Sequence, residues 1–451
     1  MMHRIIFWSV TASLAGFLFG FDTVVISGAE KTIQSLWGLQ DFYHGLALSA
    51  ALWGTVLGSM LGFWPTDRFG RKKTLLSVGV LYLVSAIWSA LANDPISFMI
   101  ARWIGGVGVG ISTVAAPLYI SEISPPNNRG KLAGMFQFNI VFGILMAFLS
   151  NALIARWFAA SQVELQDDVA WRWMLGVEAI PALIYSFFCF GLPESPRWLI
   201  ARKGDREAGI AVLKQIVPDG SPGKVEALAD EIEIGAQQTV ASGSIWQGKL
   251  KVPLMLAFLI AFFNQLSGIN AVLYFAPRIF EMTGLGEEAA LLRSVGIGVT
   301  NLIFTFVGLA LIDRLGRRTL IVIGSLGYIG SLGLCSLAFA TENYSVVPPC
   351  IFAFIAAHAV GQGAVIWVFI SEIFPNRYRA GGQAVGSFTH WFFAAALTLC
   401  FPTMVAVMPA SAVFAIFCGM MILQLIWAIV FMPETKGVPL EEIERQLGIH
   451  E

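Results

Sequence analysis

Asp67-Arg68-Phe69-Gly70-Arg71-Lys72 and, half a chain later, Asp313-Arg314-Leu315-Gly316-Arg317-Arg318 decide how this sequence is read. Each hexad leaves one apolar stretch and leads into the next. Two further pairs keep step with it: Ile120-Ser121-Glu122-Ile123 with Ile370-Ser371-Glu372-Ile373, and Pro193-Glu194-Ser195 with Pro433-Glu434-Thr435. The three pairs follow the second, fourth and sixth apolar stretches of each half. A chain whose loops repeat in this order is built from two six-helix bundles of the same topology, related by an axis along the membrane normal.

Composition makes those stretches membrane spans. Of 451 residues, 57% are hydrophobic and 13% charged, and mean hydropathy is +0.73. A soluble domain carries about 25% charged residues, so lipid must cover much of this surface. Stretches of roughly 20 apolar residues, enough to cross a bilayer, run near 5–28, 43–64, 74–92, 96–119, 131–155 and 172–192. The second set runs near 252–280, 290–312, 319–340, 346–370, 380–405 and 410–432. The first is too long for a signal-peptide core and lacks a small-residue cleavage site, so it reads as a retained span. The expected fold is an all-α membrane protein of twelve transmembrane helices: a bundle over 1–193, a cytoplasmic helical linker over 194–251, a second bundle over 252–432 and a tail over 433–451.

In the linker, Asp205–Gln215 and Gly223–Gln237 read as amphipathic helices joined by a turn at 218–223. If the termini and linker face the cytoplasm, 22 of the 28 lysines and arginines fall on that side. The positive-inside rule therefore orients the chain with both termini cytoplasmic, in a plasma or inner membrane.

Net charge is −1, which gives no cause to expect a nucleic-acid partner. The five cysteines lie in apolar stretches without metal-ligand spacing. No nucleophile–base set or metal cluster is apparent, so neither an enzyme nor a cofactor is expected, and a functional monomer suffices.

The motifs together resemble those of the sugar porters of the major facilitator superfamily, over essentially the whole chain. Residues 20–28 resemble that family's first helix, Asp67–Lys72 its signature loop, and Arg102–Gly110 with Pro117–Pro125 its fourth helix. Pro193–Leu199 resembles the close of the first half, Gln265–Asn270 the seventh helix, and Pro433–Gly437 the C-terminal motif. The resemblance implies a carrier that rocks around a central sugar site, with a sugar, protons and the lipid bilayer as its partners.

A sugar ring offers hydroxyls and an apolar face, and so calls for amides and aromatics. Polar residues within spans are costly and face the interior. The candidates are Gln137, Gln265, Asn270, Asn301, Trp367, His390 and Trp391; by resemblance Gln137, Gln265, Asn270, Asn301 and Trp367 occupy sugar-binding positions. The bland alternative is interhelical packing through amides at about 1 kcal/mol each, the reading kept for Asn139. Gly268 suits a local break that turns Gln265 and Asn270 inward. Asn264 stands where the family often has a second glutamine, and its shorter arm is expected to leave a gap or admit water. His390 replaces a common amide, and the usual proline beside Trp367 is missing.

Asp22 is a carboxylate inside a span, and Arg102 is an arginine at matching depth, with Glu178 near both. Such a group reads as a proton switch that joins and releases the first and fourth helices; by resemblance it accompanies proton-coupled porters. A structural ion pair, a facilitative uniporter and, remotely, a transporter-like nutrient sensor are the alternatives. At the cytoplasmic ends, Asp67, Arg71, Glu122, Arg129 and Glu194 mirror Asp313, Arg317, Glu372 and Arg379. These are expected to latch the halves on the inside, the alternative being plain topology anchors.

Overall fold

A computed structural model describes residues 2–125, 129–160, 166–217, 221–238, 245, 248–375 and 377–449. The expected turn at 218–220 and the side chains of Arg129 and Lys131 lie outside the described residues. Among the described residues, twelve helices are long and apolar enough to cross a membrane: α1 His3–Gly28, α2 Asp41–Leu61, α3 Arg71–Leu91, α4 Pro95–Ile123, α5 Gly134–Ala160 and α6 Val169–Phe190. They continue as α7 Gly248–Tyr274, α8 Glu287–Leu315, α9 Arg317–Ala340, α10 Tyr344–Glu372, α11 Arg379–Val407 and α12 Ala410–Val430. These match the expected spans to within a few residues, and no strand occurs among the described residues.

Helix starts follow from local chemistry. Asp94 accepts hydrogen bonds from the N–H groups of Ile96 and Ser97 and so caps α4, with Pro95 in its first turn. α3 and α9 begin after Gly70 and Gly316, both at positive φ (+92° and +95°), a conformation that favours glycine. Glu194 and Glu434 then receive the freed N–H groups of Arg71 and Arg317 at 2.8 and 2.9 Å. The same loop chemistry thus recurs in both halves, as the repeated motifs require.

The chain divides into two compact units. The first comprises 1–23, 53–144 and 175–242, and the second 24–52, 145–174 and 243–451. In the first unit, α1 packs closely on α5 because glycines remove the side chains between them. A Cβ on Gly20 would stand 1.9 Å from the Ile140 carbonyl, and one on Gly143 would stand 2.2 Å from that of Phe17. Close approach through small residues is how helices gain contact where lipid supplies no hydrophobic drive. The linker helices Arg206–Ile216 and Pro222–Gln238, near the limits expected, bury Leu213, Val225 and Ala229 against Ile200.

In the second unit, residues 24–52 pack directly on the later helices. Buried Glu30 accepts from Arg278 Nε at 2.8 Å and lies 2.8 Å from His44 Nε2, while Arg278 also bonds Gln34 at 2.6 Å. α7 breaks at Ser267-Gly268, where Gly268 takes φ +87° against the ring of Phe417. α10 breaks at Gly361 (φ −86°, ψ −97°), so a glycine supplies the interruption where the family's proline is absent.

Candidate functional site

In the first unit, α1 and α4 bring together the charges the sequence singled out. Arg102 Nη1 donates to Asp22 Oδ1 at 2.6 Å, and Nη2 donates to the main-chain carbonyl of Asp22 at 2.8 Å. Both residues are 2% exposed. Glu178, at the break within α6, is also buried and sits within hydrogen-bonding reach of Asp22. Among the described residues, its Oε1 has no hydrogen-bond partner. Two carboxyls and one guanidinium buried together make a group that can hold a proton, because a carboxyl–carboxyl bond requires one.

The charged loops close within each unit. Arg71 grips Glu122 with Nε and Nη2, both at 2.9 Å, and reaches Asp67 at 3.2 Å. Arg317 repeats the arrangement on Glu372 at 3.0 and 2.8 Å and on Asp313 at 3.0 Å. Glu194 caps α3, accepting from the main-chain N–H groups of Arg71 and Lys72. Among the described residues, Arg379 Nε has no hydrogen-bond partner. The expected latch joins the two halves, whereas the pairs of Arg71 and Arg317 each lie within one half.

In the second unit, the break in α7 turns Gln265 and Asn270 toward one another. Asn270 Nδ2 donates to Gln265 Oε1 at 2.6 Å. Gln265 Nε2 donates to Asn264 Oδ1 at 2.9 Å and to the His390 ring at 3.1 Å. Trp367 and Trp391 flank His390, with ring centroids 5.2 and 4.7 Å from it. Five of the seven candidates are therefore adjacent. Asn301 is buried on α8 and joined to none of these by a hydrogen bond. Gln137 lies on α5, in the first unit, half-buried. Asn139 packs, as expected, donating to Ser13 Oγ and to the Met135 carbonyl.

Beside Asn264, Gln362 Oε1 lies 3.4 Å from Asn264 Nδ2, and Gln362 goes on to Gln424 and Ser325. Sequence reasoning missed Gln362 and Gln424. The signal was there, since each is an amide within an apolar span.

Over residues 8–447 the chain matches the family described as "Sugar (and other) transporter". It is 34% identical to the arabinose-proton symporter of Bacillus subtilis (strain 168), covering 98% of this chain and 95% of that one. It is 33% identical to the D-xylose-proton symporter of Escherichia coli (strain K12), covering 97% and 94%. An inward-open structure of the xylose transporter XylE from E. coli superposes with a TM-score of 0.85 at 31% identity, covering 97% of this chain and 98% of that one.

Proposed function

Because the chain belongs to the sugar-porter family of the major facilitator superfamily, we propose that it imports a monosaccharide or polyol together with protons by alternating access. The observation that carries the reading is the buried Asp22–Arg102–Glu178 group. A lone carboxylate at such depth costs about 2.5–3.5 kcal/mol even on insertion scales. Its retention beside a fixed positive charge suits a site that takes up and releases a proton in each cycle. The amides of the broken α7 and the tryptophans on α10 and α11 supply the polar and apolar contacts a sugar ring needs. Both termini and residues 194–251 face the cytoplasm in this reading, and Arg71 and Arg317 hold the cytoplasmic ends of their own halves rigid while the halves rock.

The test is pH-gradient-driven accumulation of labelled D-xylose, L-arabinose, D-glucose and myo-inositol in proteoliposomes, wild type beside Asp22→Asn. The introduced amide keeps an oxygen for Arg102 Nη1 and leaves the main-chain bond to Nη2 in place, so sugar binding and sugar-for-sugar exchange should persist. It cannot take up and release the proton, so accumulation should vanish. Accumulation by the variant would remove Asp22 from the coupling role and turn attention to Glu178. Exchange without accumulation by the wild type would make the protein a facilitative uniporter.

A further inference from the structure

Six polar side chains of the second unit form one directed chain. Asn270 Nδ2 donates to Gln265 Oε1, Gln265 Nε2 to Asn264 Oδ1, and Asn264 Nδ2 to Gln362 Oε1. Gln362 Nε2 donates to Gln424 Oε1 and Gln424 Nε2 to Ser325 Oγ, both at 2.8 Å. The Ser325 hydroxyl gives its own proton to the main-chain carbonyl of Ile321 at 2.7 Å. The run thus starts at the sugar candidates on α7, crosses α10 and α12, and ends inside α9.

The sense of this chain is favoured by its far end. A carboxamide donates from one arm and accepts on the other, so each amide in a row copies the sense of its neighbour. The Ile321 carbonyl can only accept. Ser325 gives its proton there and turns a lone pair to the NH2 group of Gln424, two hydrogen bonds where the opposite sense would leave its hydroxyl one. Gln362, Asn264, Gln265 and Asn270 follow in turn. Gln362, Gln424 and Ser325 are each 0% exposed, so bulk water does not reach the middle of the chain to compensate an amide that turns over alone. At the near end, both protons of Gln265 Nε2 are taken, by Asn264 and by the His390 ring. What remains there for a ligand is acceptor capacity on Gln265 Oε1 and Asn270 Oδ1, with one further N–H on Asn270 Nδ2.

We propose that Gln362, Gln424 and Ser325 are positioning residues that set the hydrogen-bond sense of the sugar site, so that Gln265 and Asn270 accept from a hydroxyl of the bound sugar. This rests on the sugar-transport reading above. It makes the site select for a hydroxyl that donates, and fluorine in that place cannot donate. Replacing Ser325 by alanine removes the anchor. The reversed chain then leaves only a carbonyl oxygen of Gln424 unpaired, which is tolerated better than an unpaired N–H. Reversal turns the NH2 group of Asn270 to the end of the chain, and His390 follows by changing tautomer.

The experiment uses the purified full-length protein and takes as parent ligand the tightest binder among D-xylose, L-arabinose and D-glucose. Kd is measured for that sugar and for each of its monodeoxyfluoro analogues. In the wild type, fluorine at one position should weaken binding by about tenfold or more, the size of one lost hydrogen bond to a buried acceptor. Ser325→Ala should bring that ratio close to one or invert it. Ser325→Thr, which keeps the hydroxyl and its carbonyl acceptor, should retain the wild-type ratio. If Ser325→Ala does not fold, Gln424→Met, of similar shape, carries the same expectation. An equal loss of affinity for parent and analogue, with the ratio unchanged, would reduce the three residues to packing and overturn the inference. So would a wild type that binds every fluorinated analogue as well as its parent. Failure of the wild type to bind any of the three sugars would overturn the sugar reading, and this inference with it.

Discussion

Gln265 joins three polar neighbours of the candidate site, and its removal strands all three at once. Gln265→Ala leaves Asn270 Nδ2, Asn264 Oδ1 and the His390 ring without the partners they have in the intact protein. Stranded buried polar groups cost about 1–3 kcal/mol, so sugar affinity should fall by roughly that amount. Asn270→Ala should fall similarly. Quenching of Trp367 and Trp391 fluorescence by the sugar measures both, and unchanged affinity in either variant would remove that residue from the site. Individual residues were readable from sequence where their chemistry is rare in its setting. Asp22 and Arg102 stand out because charges in spans are costly, and the structure joins them at 2.6 Å. Gln362 and Gln424 are nearly as unusual in theirs. Their role depends on meeting at the same depth on different helices, 62 positions apart in sequence, and spacing along one chain does not report that.

Helices one and five meet at glycines, and that contact tolerates no side chain. Gly20→Ala puts a methyl group 1.9 Å from the Ile140 carbonyl, a backbone atom that cannot swing away. Overpacking of this kind costs about 1–3 kcal/mol. The variant's melting temperature in detergent should drop, while Gly330→Ala and Gly419→Ala, where nothing lies within 4 Å of the new Cβ, should match or slightly exceed wild type. A Gly20→Ala protein as stable as these controls would refute close packing of α1 on α5. At this scale the sequence was most legible: twelve apolar stretches, the amphipathic linker pair and the break at Gly268 are all periodicity or local chemistry. The break at Gly361 was not foreseen, since the missing proline drew the reading and the glycine that replaces its effect did not. The cluster of Glu30, His44 and Arg278 was also missed, because Arg278 registers in sequence only as one basic residue near a loop.

For the whole molecule, the repeated loops establish two related halves, yet the compact units do not follow the sequence midpoint. Residues 24–52 and 145–174 group with 243–451, through contacts such as Arg278 with Glu30 and Gly298 with Leu145. Which segments of a half pack where is a matter of tertiary contact, and a repeat in sequence is silent about it. Orientation is different, because the basic residues argue it directly. The bias of 22 in 28 toward one side far exceeds what balanced loops would give, and charge in short loops is what decides insertion. Single cysteines in a background lacking all five native ones test this at two exposed glycines. Gly223→Cys lies on the second linker helix and Gly286→Cys in the loop before α8, and neither new Cβ meets another atom within 4 Å. With twelve spans and cytoplasmic termini, an impermeant maleimide should label position 286 in intact cells and reach position 223 only after the membrane is opened. Both variants should retain transport, since neither side chain touches the amide chain or the Asp22 group. Labelling of position 223 in intact cells, with 286 protected, would invert the protein in its membrane. Asp22 would still pair with Arg102, but the charge bias would then run against the rule that orients the chain. Labelling of both positions from the same side would mean an even number of crossings between them where α7 alone should make one, and the twelve-span count itself would fail.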